Sequence, residues 1–213
     1  MRILFCNIAW MKEYRGVTDN DTPVNGGSYV DDTNNAHEAY NFDKITFDDD
    51  NKKVPYCLGF FETKCTNGES RNQLHIEKID DNVDENIEAI DDVLVVWCAK
   101  GETNDFTSVV GWYKNATVYR YYQELEFSNG FIQDYNVLAK AKDCILLPLN
   151  VRSRRTMWWV PRVAKKNGPS YGFGQANVWF ANEKNNKAKN DYINKLVNQI
   201  KNYNGENYML KES

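Results

Sequence analysis

The chain has only two histidines, His37 and His75, and neither stands in a GxSxG or comparable setting, so a Ser–His–Asp relay has no support. HExxH and paired Cys/His spacings are absent, and neither NGGS nor GFGQ fits a phosphate-cradling GxxxxGK[ST] loop. One acidic pattern remains. Asp48–Asp50 precede Glu62-Thr63-Lys64, which closes the apolar stretch Gly59–Phe61. Acid, short gap, then acid-x-Lys at a strand end is how magnesium-dependent nucleases hold a metal ion and orient water. Asp48–Asp50, Glu62 and Lys64 are therefore the candidate set for a metal-dependent nuclease.

A second constellation is aromatic. With 13 Tyr, 10 Phe and 6 Trp, the chain has more rings than its core needs, so some belong in a groove or pocket. A pocket that reads a nucleobase needs flat rings against the base and polar groups at its edge. Trp10, Trp97 and Trp112 are the candidate walls, with Asn7, Asn25, Ser28 and Tyr29 around the base. Trp97, inside LVVWC, reads more readily as core, whereas Trp10 and Trp112, next to polar or charged residues, fit core and pocket equally. Trp112 and Tyr113 are adjacent on a strand and must point to opposite faces, so at most one of them lines a given cavity. Lys114, Arg120, Arg152, Arg154 and Arg155 are candidate phosphate contacts. The same groove would also serve a peptide-binding interaction module.

The formal net charge of −4 disfavours nonspecific coating of nucleic acid, which rests on phosphate neutralisation. The charge is uneven, however. Residues 19–50 and 80–92 are acid-rich and residues 140–166 are basic, which allows one positive surface on an acidic protein.

These side chains need a scaffold. The stretch 92–120 reads as two apolar strands, Val93–Ala99 and Ser108–Tyr113, joined by a polar turn. Arg2–Trp10 reads as a central strand, and Lys44–Phe47, Tyr56–Thr63, Gln73–Ile79, Phe131–Ala139 and Cys144–Leu147 as further strands. Ala176–Phe180 is a short strand or a helix start. In Asn186–Tyr203, Tyr192, Ile193, Leu196, Val197 and Ile200 recur at helical spacing with Gly205 just beyond, which predicts a helix. Strands outnumber helices without βαβ spacing. The expected fold is therefore α+β, an open, mostly antiparallel β-barrel with a few flanking helices and a C-terminal helix.

The five cysteines form no CxxC pair, and Cys6, Cys98 and Cys144 lie inside apolar runs. That pattern predicts a reduced, cytoplasmic chain without disulfides or a zinc site. No run of about 18 apolar residues occurs, so no membrane span is expected.

ILFCNIAWMK, an opening strand ending in Trp and Lys, is similar to the start of EVE and YTH domains of the PUA-like superfamily. The pair VLVVWCAK and SVVGWYKNATVY, with its VVGW-type glycine, resembles a later strand pair of those domains. The resemblance covers about the first 160 residues. It implies a PUA-like base-reading domain over residues 1–182, followed by a C-terminal helix and tail over 183–213. It further implies binding of a modified, methylated base, flipped from double-stranded DNA into an aromatic cage, with no cofactor, no catalytic residue and no bound metal. By residue it places Trp10 and Trp112 as cage walls and Asn25 and Ser28 in the loop near the base. Such modules resemble specificity domains of methyl-directed restriction endonucleases, so a nuclease domain or subunit is the implied partner. The chain departs from the family where NGGSYV replaces the usual WxxxRN-like segment.

Overall fold

The computed structural model describes residues 1–25, 37–49, 52–63, 65–66, 70–71, 73–164 and 168–211, with the backbone alone for 48–49, 65–66 and 70–71. The first strand, β1 (Ile3–Asn7), alternates its side chains between two apolar environments: Leu4 and Cys6 enter one buried cluster, Ile3 and Phe5 another. A strand covered on both faces must be apolar throughout, which is why ILFC shows no polar alternation.

After a 3-10 turn at His37–Tyr40 come β2 (Ile45–Asp49), β3 (Lys52–Gly59) and the small ribbon β4 (Cys65–Thr66) and β5 (Ser70–Arg71). The two long strands are β6 (Ala89–Lys100) and β7 (Thr107–Glu126), followed by β8 (Ile132–Lys140) and β9 (Cys144–Leu146). Two single-turn helices, α1 (Leu149–Arg152) and α2 (Arg155–Trp158), precede β10 (Val178–Trp179) and the long helix α3 (Lys187–Lys201). Eight strands form one sheet in the order β10-β1-β6-β7-β8-β3-β2, with β9 also pairing β7. All pairings are antiparallel except β1 with β6, and β10 and β2 end an unclosed sheet. The architecture is thus α+β with an open, mostly antiparallel sheet.

The β6–β7 hairpin is longer than its apolar centre predicts. Its register breaks between Ile90 and Val93 and again between Val93 and Val95, and there Asp92 (φ 58°) and Asn115 (φ 50°), respectively, take left-handed conformations that short polar side chains tolerate. Val93, Val95, Trp97, Ala99 and Tyr113 face the first cluster, whereas Val96, Cys98 and Trp112 face the second. Tyr113 and Trp112 therefore point to opposite faces, as strand geometry requires. Gly111 of VVGW sits where β7 meets β9. A Cβ there would lie 2.3 Å from the Ile145 carbonyl oxygen and 2.6 Å from Phe42, so the close strand approach excludes any side chain.

The second cluster is completed by α3. Asn186 caps that helix by accepting the Lys189 N–H at 3.0 Å, and Ile193, Leu196, Val197 and Ile200 pack with Phe5, Val96, Trp112 and Trp158. Burying each such aliphatic side chain contributes roughly 1.5–3 kcal/mol. Residues after 183 thus share a core with the sheet. Cys6, Cys57, Cys98 and Cys144 are buried free thiols. Among the described residues no helix is long and apolar enough to cross a membrane.

Three element expectations need correction. The first strand stops at Asn7, and Trp10 forms an isolated bridge with Val24 instead. The strand through Tyr56–Thr63 stops at Gly59, because Asn41 takes over the next peptide: its Oδ1 accepts the Phe60 N–H (2.8 Å) and its Nδ2 donates to the Phe60 carbonyl (2.9 Å). Gln73–Ile79 is not a strand. Leu74 donates its N–H to the Arg120 carbonyl at 2.8 Å and the chain then turns in a 3-10 helix at Ile76–Lys78. A two-residue period over so few positions fits such a turn as well as a strand.

Candidate functional site

The C-terminal end of β1 lies beside the end of β6 because the two strands run parallel, Asn7 opposite Cys98. The β6–β7 turn therefore overhangs Asn7, and the chain after α2 closes the far side. That closure is specified by backbone bonds: Val160 N–H donates to the Thr107 carbonyl at 2.8 Å, and Ser108 bridges Trp159. The result is a cleft of about 540 Å³ lined in part by Asn7, Asn25, Lys100, Thr107, Arg155, Trp159 and Arg162.

Arg162 organises its floor. Its Nε donates to Thr107 Oγ1 and its Nη2 to Asn7 Oδ1, both at 2.9 Å, while the guanidinium carbon lies 5.4 Å from the Phe173 ring centre. With Asn7 Oδ1 occupied by a cationic donor, the Asn7 amide presents Nδ2–H to the cleft as a donor. Asn25 is set the other way. Its Nδ2 donates to the Lys100 carbonyl at 3.1 Å, leaving Oδ1 as an acceptor. Each orientation is fixed by a partner that can play only one role. The cleft thus offers one hydrogen-bond donor and one acceptor from two amides.

Trp159 supplies a flat surface. Its ring is half-buried and meets Tyr192 edge-on at 6.0 Å, and the Tyr192 hydroxyl donates to the Trp159 carbonyl at 3.0 Å. Arg155 lies over Phe106 with 5.3 Å to the ring centre and contacts both Asp105 carboxylate oxygens at 3.3 Å. Lys100, Arg155 and Arg162 face a single lining carboxylate, Asp105, so this mouth is positive on a negative chain.

Other expected site residues lie elsewhere, and several assignments are corrected. Trp112 is fully buried on the far face of the sheet, stacked on Trp158 at 5.6 Å and met edge-on by Tyr203 at 5.3 Å, so it packs under α3 and walls no cage. Trp97 is fully buried in the first cluster, so of its two readings the core one holds. Trp10 is half-buried and its ring face is taken by Arg152, 5.3 Å away. Arg152 itself is fully buried and donates to three carbonyls, those of Leu147, Met11 and Lys12. Arg120 is also buried, donating to Glu77 at 2.7 Å and to the carbonyls of Ile87 and Asp84, which ties down the acidic connection before β6. Neither guanidinium is presented to a phosphate. Lys114 and Arg154 reach the surface at two other clefts, away from Arg155. Ser28 and Tyr29 lie outside the described residues.

Of the nuclease set, Asp50 and Lys64 also lie outside the described residues, and the backbones of Asp48 and Asp49 in β2 stand in register with those of Lys53 and Lys52 in β3. Glu62 is half-buried, and burial raises its carboxyl above the ordinary range. Among the described residues no three His, Cys, Asp or Glu side chains gather to hold a metal ion. Near Glu62 is a carboxyl that sequence reasoning missed. Glu38 is buried and accepts the Ala9 N–H at 2.6 Å, and burial, reinforced by the Glu62 charge, pushes its pKa up to about 8.

Trp159 and Arg162 were likewise not singled out. A signal existed: Trp158 and Trp159 are adjacent, and consecutive side chains point in different directions on a helix as on a strand, so the two rings cannot enter one pocket together. Compared with models of known families, with curated proteins and with solved structures, the chain matches none of them.

Proposed function

We propose that this chain is a nucleic-acid-binding module that accepts one modified, methylated base, flipped from double-stranded DNA, in the cleft at the end of β1. In this reading it is a PUA-like domain of the EVE/YTH kind, and it targets a nuclease domain or subunit. The observation that carries the reading is the convergence of Trp159, the Asn7 donor, the Asn25 acceptor and three cations on one cleft. An extruded base needs a stacking face and hydrogen bonds to its edge, and its flanking phosphates need cations. Trp159 gives the face, and the guanidinium of Arg155 over Phe106 offers a second flat surface. Trp159 replaces Trp10 and Trp112 in the role the sequence suggested. The volume falls within the range of small-ligand pockets.

The test is a fluorescence-anisotropy titration with duplexes that differ only in one base: adenine against N6-methyladenine, and cytosine against 5-methylcytosine. At least tenfold tighter binding to one modified duplex is expected, about 1.4 kcal/mol of discrimination. Equal, weak affinity for all duplexes would overturn the reading.

A further inference from the structure

A second cavity, of about 860 Å³, lies apart from the Trp159 cleft. It lies between α1, α2 and the C-terminal half of α3. The two clefts flank α2, and adjacent residues serve different ones: Arg154 and Trp158 line this cavity, Arg155 and Trp159 the other.

Two features of this second cavity point to a ligand. Its apolar lining comes from Pro148, Val151, Met157, Trp158 and Tyr203, and Met157 remains 42% exposed, so a substantial apolar surface stays open to solvent. The second feature is charge. Glu206, the one lining carboxylate, is already 3.4 Å from the Lys211 ammonium, whereas Arg154 and Lys195 have no ion-pair partner among the described residues. Two unmatched cations over an apolar lining favour a molecule with a flat apolar body and one anionic group.

We infer that this cleft binds a small amphipathic anion, an aromatic carboxylate in class, whose ring packs on Met157, Val151 and Tyr203 and whose acid group pairs with Arg154 and Lys195. The five amides in the lining, among them Asn150, Asn198 and Asn202, complete the polar surround. This inference is independent of base reading, because it uses neither the Trp159 cleft nor nucleic acid.

The test uses the full chain and the fluorescent probe 1-anilinonaphthalene-8-sulfonate, with displacement by indole-3-acetate or by its neutral analogue indole-3-ethanol. Saturable one-site probe binding is expected, with the carboxylate displacing at least ten times more effectively than the alcohol. In the Arg154→Ala/Lys195→Ala double variant that preference falls to less than threefold. Both side chains are exposed, so the variant keeps the parent urea midpoint. Met157→Ala, which removes exposed apolar lining, weakens both competitors while preserving the preference for the acid. Non-saturable probe binding, equal displacement by acid and alcohol, or an unchanged preference in the folded double variant would each overturn the assignment.

Discussion

Replacing Arg152 with methionine is expected to lower the unfolding free energy by roughly 3–5 kcal/mol. The guanidinium is fully buried, and no aspartate or glutamate neutralises it in direct contact among the described residues. It is satisfied instead by carbonyl dipoles: Nε to Leu147 (2.6 Å), Nη1 to Met11 (2.7 Å) and Nη2 to Lys12 (2.8 Å). Trp10 and Tyr14 cover it at 5.3 and 5.9 Å. Burial lowers its pKa to about 10, so it remains charged at neutral pH. It therefore joins α1 to the segment after β1, two parts of the chain separated by 140 residues. Methionine fills a similar volume but leaves three carbonyls without a donor. Arg152→Lys, with a compact ammonium in place of the planar fork, should restore only part of the loss. Urea unfolding of the three proteins measures this, and a midpoint unmoved by Arg152→Met would contradict the structural role.

The second large effect is a pH dependence. Glu38 has an ordinary carboxyl pKa of 4.5 when unfolded and about 8 in the folded chain, raised first by burial. Because the folded state holds this proton more tightly, stability falls as pH rises from about 4.5 to about 8 and levels off above. Below that window both states are protonated and the group contributes nothing. At one pKa unit per about 1.4 kcal/mol, the full span is on the order of 5 kcal/mol. Glu38→Gln cannot ionise and still offers an oxygen to the Ala9 N–H. The difference between the two urea-midpoint profiles from pH 4.5 to 8.5 should therefore slope in favour of the variant as pH rises. Parallel profiles would show that Glu38 does not titrate in this window.

Much of the scaffold was legible because it is written in local periodicity. The apolar runs of β1, β6 and β7 announce strands buried on both faces, and the spacing of Ile193, Leu196, Val197 and Ile200 announces α3. The site was less legible, because its pieces meet only in three dimensions. Trp112 stands among glycine, tyrosine and lysine and reads as a candidate pocket wall, yet α3, arriving some seventy residues later, covers it. Arg120 and Arg152 look like phosphate ligands, since a sequence does not reveal that carbonyls of distant segments will satisfy them. Asn7 was recognisable as the polar break in an apolar strand, and Asn25 as part of the loop NGGSYV. What set their roles as donor and acceptor was Arg162 and the Lys100 carbonyl, partners far off in sequence.

The central claim is that the Trp159 cleft distinguishes one base from another, and a single comparison tests it most directly. The affinity ratio between modified and unmodified duplex is measured for the parent chain and for Trp159→Ala, at two salt concentrations. The account predicts that the variant loses most of the discrimination, since base–aromatic stacking contributes about 1–3 kcal/mol. It should keep the weaker salt-dependent binding that Lys100, Arg155 and Arg162 provide. Full discrimination retained by a folded Trp159→Ala protein would contradict it.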